Sequence, residues 1–175
     1  MAVNRLNIYH GSRLLLFFTL FMAAVQIVAC SDESPALARN KPAPGFSLRN
    51  MQEQVVDFPG QFKNQVVIIS FWADWCPSCY REMGDFEDLF QRYRDQGLTI
   101  LAINIKQDKN TARAFIQDLN LSYQLLFDIN GEIAKKYAVS SLPVAFIINK
   151  AGALDTRVLG ETPPQVFEQI VNTLL

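Results

Sequence analysis

The sequence predicts a small three-layer α/β domain built on a mixed central sheet. Stretches of β-branched, almost continuously apolar residues alternate with stretches whose apolar residues recur at helical spacing. Three of the apolar runs, "VVIISFW" (Val66 to Trp72), "LTILAINI" (Leu98 to Ile105) and "PVAFIIN" (Pro143 to Asn149), lack the alternation of a strand with one wet face. They read as strands buried on both sides, as in a sheet covered by helices. The third turns through Lys150 to Gly152 into the alternating "LDTRVLG", a hairpin that gives the sheet an antiparallel edge.

Each element follows in order. At 175 residues the chain has room for one domain with a sizeable core. Half of the residues are hydrophobic and 19% charged, too apolar for disorder, and a net charge of −1 offers no basic field for nucleic acid. Arg5 and Arg13 precede "LLLFFTLFMAAVQIVA", an uncharged run from Leu14 to Ala29. Basic, then apolar, then small is the order of an export signal, and the run is short for a membrane span of roughly 20 apolar residues. Polar, proline-containing "SDESPALARNKPAPG" (Ser31 to Gly45) reads as a tether. The expected organisation is a signal over 1–29, a tether over 30–42 and a domain over 43–175.

Within the domain, Met83, Phe86, Leu89, Phe90 and Tyr93 mark an amphipathic helix ending near Gly97. "NTARAFIQDLNL" predicts a helix with Asn110 as its cap. "YQLLFD" predicts a short strand, "GEIAKKYAV" a short helix, and "TPPQVFEQIVNTLL" a closing helix with prolines in its first turn.

"FWADWCPSCYREM", from Phe71 to Met83, sets two thiols three residues apart where a buried strand gives way to a helix. The choices are half of a metal site, a structural disulfide or a working redox couple. Removing residues 1–29 takes away His10, the only histidine, and of the 16 basic residues it removes Arg5 and Arg13, leaving 14 against 17 acidic. With no imidazole, Cys76 and Cys79 cannot complete a Cys₄ or Cys₂His₂ zinc site within one chain, so no metal is expected. As a structural staple the pair closes too short a loop to constrain the unfolded chain much. As a redox couple it is well placed. Unpaired amides and the helix dipole favour a thiolate at Cys76, and Cys79, one turn on, can attack a mixed disulfide held there.

These residues resemble the thioredoxin superfamily and, within it, the membrane-tethered TlpA/ResA/CcmG-like thiol–disulfide oxidoreductases. The resemblance spans about residues 42–175, on "APGFSL", "FWADWCPSC", the following "REM", "FDINGEIAKKYAV" and "LPVAFIINKAG". It implies a thioredoxin-like fold, a mixed sheet flanked by helices, with an extra helix and strand between Ile105 and Tyr137. Carried over, Cys76 is the nucleophile and Cys79 the resolving cysteine. Pro143 is the cis-proline, Glu82 a carboxylate that moves protons, and Trp75, Pro77, Ser78 and Leu142 line the substrate groove. No cofactor is expected beyond the redox-active Cys76–Cys79 disulfide. "IVAC", Ile27 to Cys30, resembles the lipobox of bacterial lipoproteins, which implies lipidation at Cys30.

The chain departs from the pattern at several points. Ser70 stands where thioredoxins carry a buried aspartate, which raises the weight on Glu82 as proton acceptor. Gly84 replaces a helix proline, and Ser141 and Val144 replace the glycine and threonine usual beside the cis-proline. The resemblance implies a lipid-anchored monomer on the extracytoplasmic side of the cell envelope, reduced by a membrane electron donor. Its substrates would be disulfides of exported proteins, apocytochrome c among them. A disulfide-forming oxidant and a non-catalytic redox-sensing module remain open alternatives, and "NIKQD" (Asn104 to Asp108) leans towards the cytochrome-maturation members.

Overall fold

The computed structural model describes residues 37–175. The expected signal, Cys30 and the first part of the tether lie outside the described residues. Eleven elements follow in chain order: β1 (Phe46–Asn50), β2 (Val55–Phe58), β3 (Val66–Trp72), α1 (Pro77–Tyr93), β4 (Leu98–Ile105), α2 (Lys109–Ile116), β5 (Gln124–Asp128), α3 (Glu132–Lys136), β6 (Val144–Ile148), β7 (Leu154–Leu159) and α4 (Pro164–Leu174). The strands form one sheet in the order β2-β1-β5-β4-β3-β6-β7. Strands β3, β4 and β5 run parallel, while β6, β7, β1 and β2 join antiparallel on either side.

The apolar runs are continuous because both of their faces are covered. Val66, Ile68, Trp72, Ile100, Ala102 and Ile147 point to one side, where Met83, Phe86 and Leu89 of α1, Ile116 of α2 and Phe167 and Val171 of α4 meet them. Val67, Ile69, Phe71, Leu101, Ile103 and Phe146 point to the other, against Phe46, Phe58, Ala134 and Tyr137. Burying one such side chain is worth about 1.5–3 kcal/mol, so these two clusters are what hold the β3–β4 centre. Tyr137 is wholly buried but not orphaned, because its hydroxyl donates to the Pro44 carbonyl at 2.7 Å.

Helix α1 runs unbroken past Gly84 and closes through a short 3-10 turn, Arg94–Gln96, at left-handed Gly97 (φ 101°). The extra helix and strand are α2 and β5, and β5 joins β4 to β1.

Three points differ from the sequence reading. The cap of α2 is Asp108, not Asn110: its carboxylate accepts the amides of Asn110 and Thr111 at 2.9 and 3.1 Å, which a residue inside the first turn cannot do. The sequence does not single out the hairpin β1–β2, whose strands are short and half polar. The end of the tether is not free. Asn40 donates to the Leu154 carbonyl, Leu154 donates to Lys41, and Pro42 bridges to Ala153, because the hairpin leaves those groups unpaired.

Candidate active site

Strand β3 ends at Trp72, and the turn Ala73–Trp75 delivers Cys76 as the N-cap of α1. Pro77 at the first helical position lacks the amide that would be orphaned there, and its fixed φ suits the helix start. Cys76 and Cys79 form a disulfide with Cα atoms 5.3 Å apart. The Cys79 amide donates to Cys76 Sγ at 3.3 Å, and Ser78 Oγ lies 3.6 Å from the same sulfur. A thiolate on Cys76 therefore meets an amide donor and the positive end of a 17-residue helix. Cys76 is 4% exposed and Cys79 1%, so the outer sulfur is the one a partner can reach.

The two tryptophans divide as the sequence suggests. Trp72 is fully buried and stacks on Phe115 at 5.8 Å, whereas Trp75 is 65% exposed beside Cys76. Pro77 is exposed and Ser78 half-buried. The register of β3 with β6 pairs Phe71 with Val144, which sets Pro143 level with Trp72 at the same sheet end as the dithiol. The Leu142–Pro143 bond is cis, and half-buried Leu142 packs against the cluster that holds both cysteines. A second cis bond, Phe58–Pro59, lies at the end of β2, where nothing in the sequence marks it.

Glu82, one turn beyond Cys79, is 6% exposed, and its Oε1 accepts the Ser70 hydroxyl at 3.4 Å. The serine that replaces an acid on β3 is thus a partner of the acid on α1. Burial pushes the Glu82 carboxyl up to about 7. The Ser70 bond opposes that rise, and the nearby charges of Asp85 and Glu161 add to it. Glu82 also lines a cavity of about 560 Å³ between α1 and the start of α4, bordered by Arg81, Asp85, Glu161, Thr162, Pro163 and Pro164. Across its rim Arg81 grips Glu161 with two bonds of 2.9 and 2.8 Å. Spacing sets Glu82 three residues after Cys79 on α1 but gives no sign of Glu161, which lies 80 residues from its partner Arg81. Among the described residues no cluster of three or more His, Cys, Asp or Glu is placed to hold a metal ion.

Comparison with known proteins agrees with this geometry. The model of the AhpC/TSA family matches residues 39–157. The thiol-disulfide oxidoreductase ResA of Bacillus thuringiensis subsp. konkukian is 28% identical over 134 residues, 77% of each chain. ResA of Geobacillus thermodenitrificans is 28% identical over 145 residues, 81% of each. Among solved structures, a putative thiol:disulfide interchange protein DsbE from Chlorobium tepidum superposes with a TM-score of 0.75 at 24% identity, over 79% of this chain and 98% of that one. StoA from Bacillus subtilis gives 0.62 at 22%, over 72% and 95%. The structural likenesses carry the thioredoxin-like fold.

Proposed function

This chain belongs to the AhpC/TSA family, in its TlpA/ResA/CcmG-like branch, and on that footing we propose that it is a thiol–disulfide oxidoreductase that reduces disulfides in exported proteins. The observation that carries the reading is Cys76 at the helix start with the Cys79 amide on its sulfur. In the reduced chain the Cys76 thiolate attacks one sulfur of a partner disulfide, forms a Cys76–partner bond and releases the other partner sulfur as a thiolate. Cys79, deprotonated, then attacks Cys76 Sγ. The Cys76–Cys79 disulfide forms, the second partner thiolate leaves, and two electrons have passed to the partner. A dithiol donor of the same chemistry must then restore Cys76 and Cys79. In this scheme Trp75, Pro77, Ser78 and Leu142–Pro143 wall the groove that receives the partner backbone, and Glu82 accepts the Cys79 proton.

We read the direction of electron flow as the net of two opposing effects, the Cys79 amide and helix start favouring a Cys76 thiolate and the buried Glu82 carboxyl opposing a thiolate one turn away. Whatever stabilises the thiolate stabilises the reduced form and makes an oxidant. A buried carboxylate one turn from Cys79 does the opposite and favours a reductant. Titration of the full chain against glutathione or dithiothreitol tests this, with an expected potential below about −200 mV. A value near the roughly −120 mV of a strong oxidant would reverse the assignment. The branch makes apocytochrome c the first substrate to try.

Anchoring has its own test, since Cys30 lies outside the described residues. Labelled fatty acid is expected on the wild-type chain and absent from Cys30→Ala, with the mature protein beginning at Cys30 on the extracytoplasmic face. Retention of residues 1–29 would make the anchor a membrane helix instead.

A further inference from the structure

The loop ahead of the dithiol is held from the side by one residue of the β4–α2 connection. Gln107 sits between Lys106, whose backbone is left-handed (φ 56°), and Asp108, the cap of α2. Its Oε1 accepts the Asp74 amide at 3.0 Å and Asn104 Nδ2 at 2.8 Å. A backbone N–H can only donate, so the Gln107 atom facing Asp74 is the oxygen, and the Asn104 atom facing that oxygen is the nitrogen. The loop thereby fixes how both amides point.

Asn104 itself is an expensive choice. It is wholly buried beside Trp72 in the β3–β4 register, and its Oδ1 has no partner among the described residues. Leaving a buried carbonyl unpaired is unfavourable, and an isoleucine like its neighbours Ile103 and Ile105 would avoid it. What the asparagine supplies is a fixed donor for Gln107.

We propose that Gln107, anchored by Asn104, is a positioning residue for the nucleophile: it fixes the turn that sets Cys76 Sγ on the Cys79 amide in the first turn of α1. Asp74 lies two residues before Cys76, and the Cys76 amide closes the turn on the Ala73 carbonyl at 3.1 Å. With Asp74 released, the turn samples several positions, and the Cys79 amide no longer faces the sulfur constantly. The thiolate is then less well stabilised. Only the consequence for turnover rests on the exchange reading above, since ionisation of Cys76 can be measured by itself.

The test uses the reduced full chain, with Cys76 alkylation by iodoacetamide followed by mass spectrometry against pH. Gln107→Met keeps length and volume but removes the acceptor, whereas Gln107→Glu keeps an acceptor oxygen. In Gln107→Met the alkylation curve is expected to move to higher pH, with the rate on the acid side falling about five-fold and the alkaline plateau unchanged. The Asp74 amide should exchange faster with solvent in Gln107→Met and at the wild-type rate in Gln107→Glu. If Gln107→Met fails to fold, Asn104→Leu should give the same shift in smaller measure. Superimposable alkylation curves in a folded variant would overturn the proposal, as would a plateau that falls as much as the acid limb, which signals lost access rather than lost ionisation. A shifted curve in a chain with no reductase activity would keep the positioning role and remove the function reading.

Discussion

Cys76→Ser is expected to abolish disulfide reduction by the full chain, while Cys79→Ser is expected to leave the first step intact and trap the partner. The asymmetry follows from position. Cys76 is the N-cap of α1, with the Cys79 amide at 3.3 Å from its sulfur, and it is the more exposed of the two cysteines. A serine hydroxyl there is not ionised at neutral pH and cannot open a disulfide, so turnover should drop by at least about a thousand-fold, to background. In the proposed scheme Cys79, 1% exposed, meets no partner directly and resolves the Cys76–partner bond. Its serine variant should accumulate mixed disulfides that survive denaturation and vanish with dithiothreitol. The check is insulin-type reduction assays for the first variant and non-reducing gels for the second. Full activity in Cys76→Ser would reduce this dithiol to a docking or sensing feature. Equal trapping by both variants would mean that either sulfur can lead.

What was legible in the sequence, and what was not, divides along the range of the interactions. Strands β3, β4 and β6 could be read because burial on both faces leaves a run such as Val66–Trp72 with nothing polar but Ser70. The α1 stripe of Met83, Phe86 and Leu89 could be read because helical spacing is a local property. Strands β1 and β2 could not, since exposed Val55 and half-polar Phe46–Asn50 alternate too briefly to stand out. The cap of α2 cannot be placed from residue type, because Asp108 and Asn110, two residues apart, are both good caps. Only the course of the chain through Lys106 decides between them. In the site the same division holds. The dithiol and Glu82 announce themselves by spacing, and Pro143 by its neighbours. Gln107 holds Asp74 across 33 residues and Glu161 holds Arg81 across 80, and such pairings exist only once the sheet has formed.

Glu82→Gln should remove a pH dependence from both stability and exchange. In the disulfide-bonded chain neither cysteine titrates, so the carboxyl can be followed without interference. Burial lifts Glu82 from 4.5 to about 7 in the folded protein, and the unfolded chain titrates near the lower value. Between those limits the folded chain holds a proton that the unfolded chain has released. Stability therefore falls as pH rises: the contribution of Glu82 is fully present below 4.5 and is lost once the pH passes about 7. At about 1.4 kcal/mol per unit the change amounts to about 3 kcal/mol across that window. Ser70 from β3, Asp85 on α1 and Glu161 before α4 bear on the carboxyl, and buried Tyr123 feels its charge in turn. Oxidised Glu82→Gln should thus lose most of the wild-type decline in melting temperature between weakly acidic and weakly alkaline buffer. In the reduced chain the ionised carboxyl and a thiolate repel each other, so their titrations are coupled and Glu82→Gln should bring the thiols down in pH. The same variant should also resolve mixed disulfides about ten- to a hundred-fold more slowly, because the acceptor for the Cys79 proton is gone. More thiolate with resolution slowed beyond what the lower nucleophilicity of a lower-pKa thiolate explains is the signature of a proton acceptor. Parallel melting curves and an unchanged resolution rate would return Glu82 to a purely structural place beside Ser70.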